Sequence, residues 1–230
     1  MVFDTLTKDE KAVLFTIQRR GVVTKDEIMQ EVDCKSTTLN RILSELKKLS
    51  LVVVSGEGES TGGRRPLQYC INGSVPIYFA GINLGMNHIE VVLLHCSGKI
   101  HSLQSVKYRR SLKPAEFRGM VGRLYQAALA EADVSPSSIH GGCLSVFCAV
   151  DRKKGVIRDT VQARWLPHEW VGYPIKEEAE KCTGIKLLVD MSINAISVYE
   201  YLFGNCRGYA RMAIMMCYHS LHMGCIQNGM

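Results

Sequence analysis

Three helical patterns follow one another within the first fifty residues, too close together for anything but a small helical trio. From Lys8 to Arg19, Val13, Leu14 and Ile17 form one apolar stripe with charges opposite, and Gly21 closes the segment. Thr24 with Glu27 three residues later makes a capping box ahead of Ile28, Met29 and Val32. The connection Asp33-Cys34-Lys35 leads to Ser36 as the expected N-cap of a third helix. There Leu39, Ile42, Leu43, Leu46 and Leu49 repeat at helical spacing. Two helices joined by a tight connection to a third make a helix-turn-helix pattern.

The third helix has the chemistry of a groove reader. Its buried stripe is aliphatic, while its first two turns offer Lys35, Ser36, Thr37, Thr38, Asn40 and Arg41. These are donors and acceptors suited to base edges and phosphates, and the first turns of such a helix are the ones that enter a major groove. Leu51-Val52-Val53-Val54 then reads as a strand, Ser55 to Gly63 as a glycine-rich loop, and Leu67 to Ile71 as the returning strand. That is a β-hairpin wing. Arg64 and Arg65 stand beside its tip, placed to meet backbone phosphate or a narrow minor groove.

Charge follows the same division. Residues 1–33 hold five basic and seven acidic residues. Residues 34–75 hold six basic residues (Lys35, Arg41, Lys47, Lys48, Arg64, Arg65) against Glu45, Glu57 and Glu59. The net charge of +6 permits a polyanionic partner without demanding one. The alternative is a plain three-helix bundle that uses its helices for protein association.

At 230 residues the chain is long for one small domain and comfortable for two, here 1–75 and 76–230. No apolar run is long enough for a membrane span. The N-terminus lacks a basic stretch followed by an apolar run, so the expected location is the cytoplasm, with no membrane partner. The nine cysteines are odd in number and include no Cys-x-x-Cys pair, so they read as small hydrophobes in a reducing compartment.

Beyond residue 76 the chain alternates strands with helices. Ile77 to Ile82, His88 to Leu94 and Ile100 to Tyr108 read as strands. Pro114 to Ala132 reads as an amphipathic helix with Phe117, Val121, Leu124 and Leu129 inward. Strand Cys143 to Val150, helix Ile175 to Cys182, strand Lys186 to Val189, helix Ile193 to Phe203 and strand Ala213 to Cys217 follow, an α/β plan.

Several segments resemble the ROK family of bacterial sugar-responsive repressors and sugar kinases. Ser36-Thr37-Thr38-Leu39-Asn40-Arg41-Ile42 is similar to the recognition helix of its repressor branch. Thr61-Gly62-Gly63-Arg64-Arg65-Pro66-Leu67 is very like that branch's wing-to-linker signature. Gly81-Ile82-Asn83-Leu84-Gly85 with Val91-Val92-Leu93-Leu94 looks like the opening hairpin of the kinase-like domain. Leu144 to Asp151, Gly155-Val156-Ile157, Trp170 to Pro174, Thr183-Gly184-Ile185 and Asp190 to Ala195 continue in family order.

The resemblance implies a repressor of the N-acetylglucosamine or xylose type, C-terminally shortened. Its winged helix-turn-helix would join an incomplete actin-like, sugar-kinase-like (ribonuclease H-like) lobe. The expected partners are double-stranded DNA with a palindromic operator and a second copy of the chain.

The same resemblance argues against an ATP-dependent sugar kinase. Kinases of the family read Asp-x-Gly-Gly-Thr at the first phosphate turn, where this chain has Asn83-Leu84-Gly85-Met86-Asn87. The position of their catalytic carboxylate is Ser192, whose hydroxyl is no base at neutral pH. Asp190 is the only neighbouring carboxylate that offers a substitute. Their second phosphate turn aligns with Tyr218 to Gly224, of which only Gly224 is retained. The family's downstream sugar and zinc residues have no counterpart in the sequence, which puts sugar sensing in doubt. Cys217, His219, His222 and Cys225 form a Cys-x-His-x-x-His-x-x-Cys run, but core cysteines with exposed histidines is the better reading. No catalytic residue, cofactor or metal is expected.

Overall fold

The computed structural model describes residues 2–59, 65–108, 112–160, 166–217 and 221–228. Two compact units emerge, residues 1–75 with 200–209 and residues 76–199 with 210–230. The segment 200–209, assigned by the sequence pattern to the second domain, thus groups with the first.

In the first unit, helix α1 (Lys8–Arg20) opens on a capping box formed by Thr7 and Glu10. Glu10 N donates to Thr7 Oγ1 at 3.3 Å, and Thr7 N donates to Glu10 Oε2 at 2.8 Å. Gly21 ends the helix at φ 86°, with its N–H on Ile17 O at 2.8 Å. Strand β1 (Val23–Thr24) precedes helix α2 (Lys25–Met29), which carries the expected Thr24–Glu27 capping box. Helix α3 (Ser36–Lys48) begins one residue differently from expectation. Lys35 is its N-cap and supplies no side-chain hydrogen bond, so Ser36 is the first helical residue.

The hairpin follows as strands β2 (Val52–Glu57) and β3 (Leu67–Ile71), antiparallel, with β1 on the other edge of β3 in the order β1-β3-β2. Ser55, Gly56 and Glu57 belong to β2 and not to a loop. A register shift between Val54 and Gly56 lets the strand continue through residues that look like turn formers. Val13, Ile17, Val23, Ile28, Leu39, Ile42, Leu43, Leu46, Leu51 and Tyr69 are buried, whereas Leu49, expected on the same stripe, lies past the end of α3 and is exposed.

The second unit is a five-stranded sheet covered by helices. Its strands are β4 (Tyr78–Leu84), β5 (His88–His95), β6 (Ile100–Lys107), β7 (Ile139–Val146) and, beyond the short hairpin β8 (Val150–Asp151) with β9 (Val156–Ile157), β10 (Leu187–Met191). The order is β10-β7-β4-β5-β6, with β4, β7 and β10 parallel and β5 and β6 antiparallel. Strand β7 starts four residues before the expected Cys143, because Gly141 and Gly142 lack the side chains by which a strand is read.

Helix α4 (Pro114–Ala132) lies on β5 and β6, beside helix α5 (Ile175–Thr183). Phe117 and Trp170 meet edge to face with ring centroids 5.6 Å apart, and Trp170 Nε1 donates to Leu112 O at 2.8 Å. Helix α6 (Ser192–Leu202) leads to the antiparallel hairpin of β11 (Arg211–Cys217) and β12 (Leu221–Gln227). Among the described residues no helix is long and apolar enough to cross a membrane.

Candidate nucleic-acid interface

The apolar stripe of α3 decides what its other face does. Leu39, Ile42 and Leu46 are fully buried and Leu43 nearly so, which pins the helix to the rest of its unit. Their burial turns the polar residues outward: Lys35, Ser36, Thr37, Asn40 and Arg41 are exposed and Thr38 is half-buried. All six expected residues therefore fall on the outer side of the first two turns. The first turn holds no acidic residue.

Two interactions reach this face from neighbouring elements. Lys25 Nζ, at the start of α2, donates to Asn40 Oδ1 at 2.6 Å. Hydrogen bonding to Thr7 holds the Glu10 carboxyl below its ordinary value, with a smaller contribution from the nearby Arg41 guanidinium. Lys25 was not singled out from the sequence, because fifteen residues separate it from Asn40. Arg65 is exposed just before β3, and Arg64 lies outside the described residues.

The connection between α2 and α3 is held by charge. Arg19 and Arg20, at the end of α1, both pair with Glu31. Burial alone would raise the Glu31 carboxyl, but the hydrogen bonds from Arg19 and Arg20 outweigh it and hold the group below the ordinary carboxylate value. The Arg19 guanidinium also lies over the Tyr201 ring, 5.5 Å from its centroid.

In the second unit, Asn83 and Ser192 belong to a hydrogen-bond network that includes the Glu90 carboxylate. Asn83 Oδ1 accepts from Ser145 Oγ at 3.0 Å and from Ser192 Oγ at 3.3 Å, and Asn83 Nδ2 donates to Glu90 Oε2 at 3.2 Å. The His88 ring closes over the β4–β5 turn, so that a Cβ at Gly85 would lie 2.7 Å from His88 Nε2. Asp190 is engaged locally. Its Oδ1 accepts from Met191 N at 2.8 Å and Asn194 Nδ2 at 2.7 Å, and its Oδ2 lies 3.4 Å from Arg152 Nε. Gly224 sits where β12 approaches α6 so closely that a Cβ would overlap Ser197 Oγ. Its small size is needed for packing.

The expectation of core cysteines and exposed histidines on the last hairpin is reversed. Cys217 and Cys225 are exposed, while His222 is buried with its ring 5.0 Å from that of Phe147. Strand alternation is the reason. Residues 217 and 225 share one face through their partners Leu221 and Ala213, and His222 points to the other. His219 lies outside the described residues, among which no group of three or more ligating side chains comes together. Elsewhere burial pushes the thiols of Cys96 and Cys143 up to about 11 and that of Cys148 to about 12, far from thiolate at neutral pH.

No protein-family model matches the chain. It is 26% identical over 192 residues to the putative xylose repressor of Caldicellulosiruptor sp. strain Rt8B.4, covering 84% of this chain and 47% of that protein. It is 20% identical over 221 residues to the xylose repressor of Bacillus subtilis strain 168, covering 96% and 55%. The chain thus spans about half the length of these curated relatives.

Among solved structures, a ROK family transcriptional regulator described as a homolog of E. coli MLC protein superposes with a TM-score of 0.67 at 17% identity. That match covers 96% of this chain and 55% of the other. The ROK hexokinase of Thermus thermophilus matches with a TM-score of 0.58 at 19% identity, covering 67% and 48%. The regulator match extends over both units and the hexokinase match over about two thirds of the chain. The chain is thus similar in sequence to curated xylose repressors and in fold to ROK family structures.

Proposed function

We propose that the chain is a DNA-binding transcriptional regulator that represses sugar-utilisation genes, with residues 1–75 as a winged helix-turn-helix and residues 76–230 as a non-catalytic kinase-like body. One observation carries the reading: the outer face of α3 concentrates Lys35, Ser36, Thr37, Thr38, Asn40 and Arg41 while its inner face is wholly aliphatic. The hydroxyls, the amide and Arg41 read base edges in a major groove, and Lys35 and the unbonded first-turn amides take a phosphate. Arg64 and Arg65, which follow the glycine pair Gly62-Gly63 in the sequence, contact backbone or minor groove in this reading. A palindromic site engages two copies of the chain, since two-fold protein symmetry matches two half-sites about one helical turn apart. The proposed setting is the cytoplasm, and sugar control is suggested by the names of the relatives.

The body transfers no phosphate in this reading. The support is chemical: Asn83 and Ser192 offer no carboxylate, Asp190 is bound to Met191 N, Asn194 and Arg152, and the His88 ring occupies the approach to Gly85. Selection of bound fragments from sheared genomic DNA tests the proposal. A fragment set sharing an inverted repeat near sugar-utilisation genes is expected. Recovery of no fragment above background, by a chain that still dimerises, would shift the assignment to a protein-association module.

A further inference from the structure

The DNA-reading unit contains ten residues that the sequence places 125 or more positions after its other end: Glu200–Tyr209 fold with residues 1–75. They meet the end of α1 in three ways. Tyr201 is buried, and its ring stacks on Phe15 at 6.3 Å between centroids. The Arg19 guanidinium also lies over that ring, 5.5 Å from its centroid. Arg207 Nε donates to Arg19 O at 2.7 Å, satisfying one of the last carbonyls of α1, where a positive charge is also favoured by the helix dipole. The loop that carries Arg207 is itself held in shape, because Glu200 O accepts from Cys206 N at 3.2 Å and Glu200 Oε2 accepts from Asn205 N at 3.0 Å.

Arg19 is the residue through which this clasp reaches the groove-reading helix. Its guanidinium pairs with Glu31 in the connection between α2 and α3, so fixing Arg19 fixes the entry to α3. Two contacts therefore bear on one residue: Tyr201 on its guanidinium and Arg207 on its backbone carbonyl.

We propose that Tyr201 and Arg207 are positioning residues for DNA binding, setting the angle of α3 through Arg19 and Glu31, an inference that rests on the DNA-binding reading above. The clasp adds a side-chain cap on Arg19 O to the backbone cap that Gly21 already supplies. A DNA-reading unit built this way depends on residues far from it in the sequence.

The test uses the full chain and its Arg207→Ala, Arg207→Lys, Tyr201→Ala and Tyr201→Phe variants. Amide exchange is followed at the last turn of α1, and binding is measured to a duplex of roughly 30 base pairs cut from a fragment that the wild type selects. Arg207→Ala and Tyr201→Ala are expected to speed exchange at that turn and to weaken binding, each by about fivefold. Lysine keeps a cationic donor and phenylalanine keeps the ring face, so both conservative variants are expected to stay within about twofold of wild type.

Unchanged exchange in both alanine variants overturns the clasp. Faster exchange with unchanged binding overturns its role in DNA recognition. A wild-type chain that selects no fragment overturns the DNA-binding reading and this positioning role with it, while the exchange data still decide whether the clasp holds α1.

Discussion

Ser192 Oγ donates to Asn83 Oδ1 at 3.3 Å, joining two side chains that the resemblance to ROK kinases pairs with acidic positions. A carboxylate at either end would bring negative charge to a spot already bordered by Glu90, whose Oε2 lies 3.2 Å from Asn83 Nδ2. The pair is held by a hydrogen bond between two uncharged side chains, next to the Glu90 carboxylate. Asn83→Asp is expected to destabilise the second unit by about 1–3 kcal/mol, since it loses the Glu90 bond and adds like-charge repulsion. Ser192→Ala is expected to cost about 0.5–1.5 kcal/mol. Denaturant melts followed by a probe in α4 check both, and equal midpoints for wild type and Asn83→Asp would refute the network's role.

The aliphatic stripe of α3 sets a second expectation. Leu43 is 2% exposed and closed in by the core of its unit. Leu43→Ala removes buried methyl groups and leaves a cavity, at an expected cost of about 2–5 kcal/mol. DNA binding falls with the helix, whereas Leu49→Ala, at the 40% exposed end of the same heptad-like series, is expected to change stability by less than about 0.5 kcal/mol. Thermal melts of the two variants side by side separate a structural stripe from a surface one.

Acid lability follows from three glutamates in the first unit. Hydrogen bonding to Thr7 lowers Glu10 and hydrogen bonding to Thr24 lowers Glu27, while the Arg19 and Arg20 bonds lower Glu31 against the opposing effect of burial. A carboxyl whose folded value lies below the ordinary 4.5 binds protons more readily when unfolded. Its stabilisation is therefore complete above about pH 4.5 and is lost as pH falls through the lower folded values. Melting of the first unit is expected to drop in that window and to stay flat from about pH 5 to 8. Glu31→Gln is expected to flatten part of the drop, and an identical acid profile in wild type and variant would remove Glu31 from the explanation.

How far the sequence foretold this molecule depended on how local each cause was. The stripe of α3, the Thr24–Glu27 box and the returning strand β3 were legible because their causes lie within a few residues. The Thr7–Glu10 box is equally local, since Thr7-Lys8-Asp9-Glu10 has the same spacing. Ser55, Gly56 and Glu57 misled because turn-forming residues were absorbed by a register shift that only strand pairing reveals. The six outward residues of α3 were foreseen, but the Lys25–Asn40 bond and the Tyr201–Arg19–Glu31 contacts join distant stretches and leave no periodic trace. On the last hairpin, residue type suggested buried cysteines, and strand parity decided the opposite.

Residues of the reading face are expected to divide by role. Asn40→Ala and Arg41→Ala remove groups suited to base edges, each at an expected cost of about 1–3 kcal/mol in affinity for a selected site and with relaxed specificity. Lys35→Ala is expected to weaken binding to all sequences alike, as loss of a phosphate contact does. Competition with random duplex distinguishes the two behaviours. Equal losses on specific and random DNA for all three variants would contradict the assignment of base-reading roles.

The measurement that bears most directly on the DNA-binding reading is the salt dependence of affinity for a selected duplex, compared between wild type and a chain carrying Lys35→Ala, Arg41→Ala and Arg65→Ala together. Each neutralised phosphate contributes about −0.9 to the slope of log affinity against log salt. A steep linear fall in the wild type, made shallower by roughly one to three such contributions in the triple variant, is the expected result. A salt-independent affinity, or one that the triple variant leaves unchanged in both strength and slope, would contradict DNA binding through α3 and the hairpin.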